Sequence, residues 1–284
     1  MSIDETLKDN FPIKDPLPEL FIAIDAATKA GKIVMNIYNK DFQASSKSDN
    51  EPITEADIQS NKLIQTIISK SGHLILSEES EDNKERLDKD VVWIIDPLDG
   101  TSEFIDKTGE FTIMLSLVKN HIPIIGVIYW PVEDILFISQ LGNGAYQFSA
   151  KHWDRLSVNK TLELENCSAL GSRVHLSNNE KNILDSLKIK KFTSKGSSLK
   201  VAEISRGKAE LYFTTTNKIK QWDTSASYCL INEAGGKMTD MYGNDLVYNT
   251  DDVYHQKGIL VTNGLIHDQF VKVYDNFIKM NKNC

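Results

Sequence analysis

The run Trp93-Ile94-Ile95-Asp96-Pro97-Leu98-Asp99-Gly100-Thr101 constrains this chain more than any other stretch. An apolar segment ends on an aspartate; a proline, a second aspartate, a glycine and a threonine follow. The pattern spells a buried strand that stops abruptly and delivers two carboxylates and a backbone turn to one point. Carboxylates, backbone carbonyls and water suit hard divalent cations such as Mg2+. A Gly-Thr turn beside them offers N–H groups and a hydroxyl to an anion. The stretch points to metal-assisted phosphate chemistry.

The rest of the chain supports a globular enzyme. Its 284 residues fit one large domain or two subdomains. No apolar run approaches the ~20 residues of a membrane span, so no transmembrane segment is expected. Met1-Ser2-Ile3-Asp4-Glu5 is acidic and polar, unlike a signal peptide. Cys167, Cys229 and Cys284 lack metal spacing and read as reduced thiols of a cytoplasmic protein. The net charge of −8 argues against a nucleic-acid polymer as partner, but not against a small phosphorylated substrate.

Apolar residues at helical spacing predict a helix over Pro18 to Tyr38, and Thr54 reads as the N-cap of a second helix with Asp57 at its third position. A short strand over His73 to Ser77 ends at Glu78-Glu79-Ser80, and Glu81 to Asp90 reads as charged surface. Phe111 to Val118, Ile124 to Trp130 and Ile135 to Ser139 are β-type runs joined by short links. A second half begins near Lys151. It holds strands at Ala169 to Arg173, Glu210 to Thr214 and Gly258 to Thr262. Its helices are expected over Asn178 to Leu187, Ser198 to Arg206, Thr224 to Ala234 and His267 to Met280. Strict βαβ alternation is absent, which favours α+β or layered α/β over a Rossmann sheet.

Asp57, Glu78 or Glu79, Asp96, Asp99 and Asp223 stand at element ends, each beside apolar or small residues. Two unit charges ~4 Å apart at an effective dielectric of ~20 repel by ~4 kcal/mol, so convergence of these acids would demand a counter-charge. Competing machinery is missing: there is no Gly-x-x-x-x-Gly-Lys-Ser/Thr loop, no Gly-x-Ser-x-Gly elbow and no His-Glu-x-x-His. The six histidines are scattered and read mostly as surface or packing residues.

At these residues the chain resembles the lithium-sensitive, Mg2+-dependent phosphatase superfamily of inositol monophosphatases and fructose bisphosphatases. The resemblance rests on Asp96 to Thr101, Trp222-Asp223 and Ala234-Gly235-Gly236, in order with Thr54, Asp57 and Glu78-Glu79. It spans about residues 17 to 280. Lys47 to Thr54, Glu103-Phe104-Ile105 with Gly109-Glu110-Phe111-Thr112, and Gly196-Ser197-Ser198-Leu199-Lys200 are similar to the bacterial 3'(2'),5'-bisphosphate nucleotidase branch. Thr216 stands where inositol monophosphatases place a substrate-binding acid. Ser102 departs from the lysine usual in the nucleotidase branch.

The resemblance implies a layered αβαβα sandwich: an N-terminal α+β subdomain over 1–150 with most metal ligands, and a C-terminal α/β subdomain over 151–284 with Asp223 and the substrate contacts. It implies two or three Mg2+ ions held by Glu78, Asp96, Asp99, Asp223 and the Leu98 carbonyl, with Glu78 favoured over Glu79. Asp57 and Thr101 would activate the attacking water, and Gly100 and Thr101 would offer N–H groups to the scissile phosphate. The implied reaction converts adenosine 3',5'-bisphosphate to AMP and phosphate, in support of sulfur assimilation, with phosphoadenylyl sulfate as a second substrate. Ser197, Ser198 and Lys200 are the expected contacts to the far end of that nucleotide, with Arg173 behind them. An inositol or sugar monophosphatase is the alternative, and a non-enzymatic interaction protein a third reading. Oligomeric state is not readable from these residues.

Overall fold

A proline at the start and apolar residues on one side make helix α1 (Pro18–Tyr38), whose buried face runs Leu20, Ala23, Ile24, Ala27, Gly31, Val34. The computed structural model describes residues 7, 10–46, 51–173, 177–189 and 191–282. Met1 to Glu5, Lys47 to Asn50, His175 and Cys284, which entered the sequence reading, lie outside the described residues. A small antiparallel pair, β1 (Ala44–Ser46) and β2 (Pro52–Thr54), leads into α2 (Glu55–Ile68). The expected cap is present: Thr54 Oγ1 accepts the Ala56 N–H at 3.1 Å, and Asp57 Oδ2 accepts the Thr54 N–H at 2.7 Å.

The first sheet has seven strands: β3 (Leu74–Ser77), β4 (Val91–Asp99), β5 (Thr112–Lys119), β6 (Ile122–Trp130), β7 (Ile135–Gln140), β8 (Gly144–Ser149) and β9 (His152–Arg155), neighbours in that order. Only β3 and β4 are parallel within it. A single turn, α3 (Thr101–Ile105), follows β4. The second half supplies β10 (Ser168–Gly171), α4 (Asn178–Ser186), β11 (Lys191–Ser194), α5 (Leu199–Ser205), β12 (Leu211–Thr214), α6 (Gln221–Glu233), β13 (Lys237–Thr239), β14 (Ile259–Thr262) and α7 (His267–Lys282). Its five strands lie in the order β11-β10-β12-β14-β13.

Strand alternation sorts the side chains into layers. Trp93, Ile95, Ile113, Leu115, Leu117, Ile125 and Val127 face α1 and α2. On the other side, Ile94 and Val118 meet Val201 and Ile204 of α5, Trp222 and Ile231 of α6, and Tyr212 and Val261 of the second sheet. Beyond that sheet, Leu211, Phe213 and Leu260 pack on α4 and α7 through Ile183, Leu184, Phe270 and Tyr274. The order is helix, sheet, helix, sheet, helix, the layered αβαβα sandwich expected. Close approach between layers is strict at Gly126, where a Cβ would stand 2.4 Å from the Ala226 carbonyl oxygen of α6.

Three expectations need correction. β4 does not stop at Asp96. It runs to Asp99, because Asp96 pairs with Met114 and Asp99 with Thr112 across a bulge at Pro97-Leu98. Helix α6 begins at Gln221, three residues before the expected Thr224, so Asp223 lies within its first turn. The Glu81 to Asp90 stretch is not all surface: Arg86 is 1% exposed. The strands β1, β2, β8, β9, β11 and β13 were not predicted. β1, β2, β9 and β11 are short segments whose side chains face solvent in part, so period-two patterning is weak there; β13 has only three residues, and β8 opens at a Gly-rich turn.

Candidate active site

In a regular strand, residues three apart point to opposite faces. The bulge at Pro97-Leu98 adds one residue to β4 and so turns Asp96 and Asp99 toward the same space. Each carboxylate is anchored by one backbone donor. The Leu98 N–H donates to Asp96 Oδ1 at 3.0 Å, and the Ser198 N–H donates to Asp99 Oδ2 at 2.6 Å. Gly100 then reverses the chain at φ +93°, leaving 3.2 Å between the place of a Cβ and both the Glu110 carbonyl oxygen and Ser197 Cβ.

Asp57, 1% exposed, meets that turn from α2. Its Oδ1 accepts the Thr101 hydroxyl at 2.9 Å, while Oδ2 accepts the Thr54 hydroxyl at 2.6 Å. Thr101 Oγ1 also stands 3.4 Å from the Leu98 carbonyl oxygen. Burial raises the Asp57 carboxyl above the ordinary range, despite the donors from Thr54 and Thr101 that oppose it.

Glu78 enters from the end of β3. Asn61 of α2 shapes that turn: its amide donates to the Glu79 carbonyl at 3.0 Å and its oxygen accepts the Ser77 hydroxyl at 2.8 Å. Asp223 enters from the second half, with Oδ2 accepting the Lys220 N–H at 2.7 Å. Burial, then the carboxylates of Glu78, Asp99 and Asp223, hold Asp96 well above the usual range. Burial and Glu78 do the same to Asp223. Burial pushes Asp99 up to about 6, against the pull of Lys200. Of the pair Glu78 and Glu79, it is Glu78 whose charge bears on Asp96 and Asp223.

These acids face one another at electrostatic range. Among the described residues no three His, Cys, Asp or Glu side chains stand in a ready-made ligand cluster. The donor set nevertheless fits a hard divalent cation. It is all oxygen, Asp96 is 1% exposed with Glu78, Asp99 and Asp223 half-buried around it, and the surrounding carboxylates make Asp96 and Asp223 harder to ionise until positive charge arrives.

The residues expected to touch the far end of a substrate lie less openly. Ser198, 5% exposed, gives its amide to Asp99 and shares its hydroxyl with Thr112 Oγ1 at 2.6 Å. It is turned inward, with both its amide and its hydroxyl engaged by neighbouring side chains. Lys200 is no solvated helix lysine either. It is 7% exposed, and its ammonium donates to the Ser197 carbonyl at 2.6 Å and reaches that of Lys195 at 3.4 Å, 5.1 Å from the Tyr212 ring centroid. Burial lowers its pKa, while Asp99, Glu103, Glu110 and Asp223 work against the drop. Arg173 is half exposed and pairs with Glu110 at 3.0 Å.

Two residues the sequence reading gave no role frame the site. Glu110 Oε2 accepts the Gly196 N–H at 2.8 Å, and its carbonyl oxygen lies beside Gly100, so it joins the Gly196–Lys200 loop to the Gly100 turn. The Lys220 ammonium donates to both Glu51 oxygens, at 3.0 and 2.8 Å, beside Asp223. Glu110 sat inside a quoted motif; Lys220 carried no local signal. A groove of about 850 Å³ lined by Trp130, Lys195, Arg206 and Lys208 meets this region only at Lys195. None of Asp57, Glu78, Asp96, Asp99 or Asp223 lines it.

The sequence model of the inositol monophosphatase family matches residues 15–278. A 3'(2'),5'-bisphosphate nucleotidase CysQ from Buchnera aphidicola is 35% identical over 233 residues, 78% of this chain and 84% of that protein. Among solved structures, CysQ from Bacteroides thetaiotaomicron aligns at TM-score 0.75 and 30% identity, covering 87% of this chain and 97% of the other. An IMPase from Thermotoga maritima aligns at TM-score 0.79 and 26% identity, covering 93% and 99%.

Proposed function

The chain belongs to the inositol monophosphatase family, and from that membership we propose a Mg2+-dependent phosphatase that removes the 3'-phosphate of adenosine 3',5'-bisphosphate to leave AMP. Phosphoadenylyl sulfate as a second substrate, a role in sulfur assimilation and a cytoplasmic setting belong to the same proposal. The reading is carried by one observation: four acids from both halves of the molecule, Glu78, Asp96, Asp99 and Asp223, bear on one another next to a Thr101–Asp57 hydrogen bond.

Glu78, Asp96, Asp99, Asp223 and the Leu98 carbonyl are the groups that would hold Mg2+. A cation held there would supply charge neutralisation for the phosphate and a lowered pKa for water near neutral pH. Thr101 donates its proton to Asp57, which leaves its lone pairs free to accept one from the attacking water. Asp57, raised by burial, is the better proton acceptor for it. The Gly100-Thr101 backbone receives the scissile phosphate. Ser197 and the remaining Lys200 donor serve the distal end, and the charge of Lys200 offsets Asp99. No covalent intermediate is required, because orientation and charge neutralisation supply the acceleration.

A second reading, an inositol or sugar monophosphatase, is favoured by the likeness to the Thermotoga enzyme. Phosphate release from adenosine 3',5'-bisphosphate and from inositol 1-phosphate, each with Mg2+ and with EDTA, separates the two. Faster turnover of the bisphosphate, abolished by EDTA, is expected. A preference for inositol 1-phosphate overturns the nucleotidase reading, and EDTA-resistant turnover overturns the metal reading.

A further inference from the structure

Glu78 and Asp223 come from different halves of the chain, and their like charges push them apart. A metal site built from such donors works only when the surrounding structure presets them. A buried polar network joins the chain just after Glu78 to the start of α6. Arg86 is its hub. Nε and Nη2 donate to the two oxygens of Asp82 at 3.1 and 2.8 Å, Nη2 to the Thr250 carbonyl at 3.1 Å, and Nη1 to Asn249 Oδ1 at 2.9 Å. Asn249 answers with its amide, to the carbonyls of Arg86 at 3.1 Å and Lys89 at 3.2 Å. Its backbone N–H donates to Gln221 Oε1 at 2.7 Å, and Gln221 Nε2 donates to Thr250 Oγ1 at 2.6 Å. Gln221 opens α6, two residues before Asp223. Arg86, Asn249 and Gln221 are 1%, 4% and 1% exposed, so the bonds from Arg86 to Asn249 and from Asn249 to Gln221 are shielded from water, and those to Asp82 and Thr250 partly so.

We infer that Arg86 and Gln221 are positioning residues for the acid cluster: the Asp82–Arg86–Asn249–Gln221 chain sets where Asp223 stands relative to Glu78. The planar guanidinium suits the task, because its fork fixes direction on Asp82 and reaches the second half at the same time. Neither residue touches substrate. The inference rests on the metal reading above, and it adds residues that the motifs do not contain.

The test is Mn2+ binding by electron paramagnetic resonance, without substrate, on the wild type, Arg86→Lys and Gln221→Met. Thermal melting in EDTA accompanies it. Both variants are expected to bind Mn2+ roughly 10- to 100-fold more weakly, with turnover at saturating Mg2+ near the wild type. Folded Arg86→Lys with wild-type Mn2+ affinity overturns the inference. If Arg86→Lys does not fold, Gln221→Met decides by the same measure. A wild type that binds no Mn2+ overturns the metal reading, and this inference with it.

Discussion

Thr101 Oγ1 donates to Asp57 Oδ1 at 2.9 Å, joining the turn after β4 to the first turn of α2 across 44 residues of sequence. The bond places a hydroxyl between the acid and the space that Asp96 and Asp99 face. Thr101→Val keeps the shape and removes the relay. It is expected to cut kcat by about 10²- to 10⁴-fold with melting unchanged within a few degrees, while Thr101→Ser retains most activity. Turnover by Thr101→Val near the wild-type rate removes Thr101 from the mechanism.

The acids at the site repel one another when no cation is present. Asp96→Asn and Asp223→Asn keep an oxygen for the Leu98 and Lys220 N–H groups and lose one charge. In EDTA both variants are expected to melt above the wild type, at about 2–4 °C per kcal/mol of relief. Both should lose Mg2+-dependent activity and most of the rise in melting temperature that Mg2+ gives the wild type. Wild-type turnover by Asp96→Asn at saturating Mg2+ ends the metal assignment.

Lys200 combines an internal duty with a proposed one. Its ammonium already holds the Ser197 carbonyl and offsets Asp99. Lys200→Met fills the same space beside Tyr212 without the charge. KM for adenosine 3',5'-bisphosphate is expected to rise about tenfold or more, the worth of roughly one charge-assisted hydrogen bond, and KM for a nucleoside 3'-monophosphate far less. Equal rises for both would show that Lys200 only shapes the loop.

Stability should depend on pH with a slope that the metal changes. Burial lowers His255 and His267 from 6.5 to about 4, and both rings are held by threonine hydroxyls. Between those values the folded protein binds fewer protons than the unfolded chain, so stability rises with pH through that window. Asp99 runs the other way. Raised from 3.8 to about 6 without metal, it holds a proton that the unfolded chain has released, so stability falls as pH rises from about 4 to 6. Mg2+ bound as proposed would keep the acids ionised and remove that opposing trend. Urea midpoints at pH 4.5, 5.5 and 6.5, chosen to span roughly this window, should climb more steeply in Mg2+ than in EDTA. Identical slopes would sink the assignment.

Much was legible in the chain alone, and for a common reason. The helices α1 and α2, the Thr54–Asp57 cap and the apolar run into Asp96 are patterns between residues a few positions apart, where periodicity and hydrogen-bond reach act directly. The candidate acids could be picked out too, since Asp57, Glu78 and Asp223 stand near element ends, although Asp96 lies inside β4.

What the tertiary structure decided involves partners distant in sequence. Arg86 belongs to a charged stretch that reads as surface; it is buried because Asn249 and Thr250, 163 and 164 residues away, accept its donors. Lys200 turns inward because the cluster of acids supplies the charge that makes its burial tolerable. Asp96 and Asp99 share one side of β4 because the pairing with β5 slips there. The run from Trp93 to Thr101 offered Asp96 and Asp99 as candidates by itself. Their common direction came only from the strand beside them, since a bulge is a property of two strands and not of one.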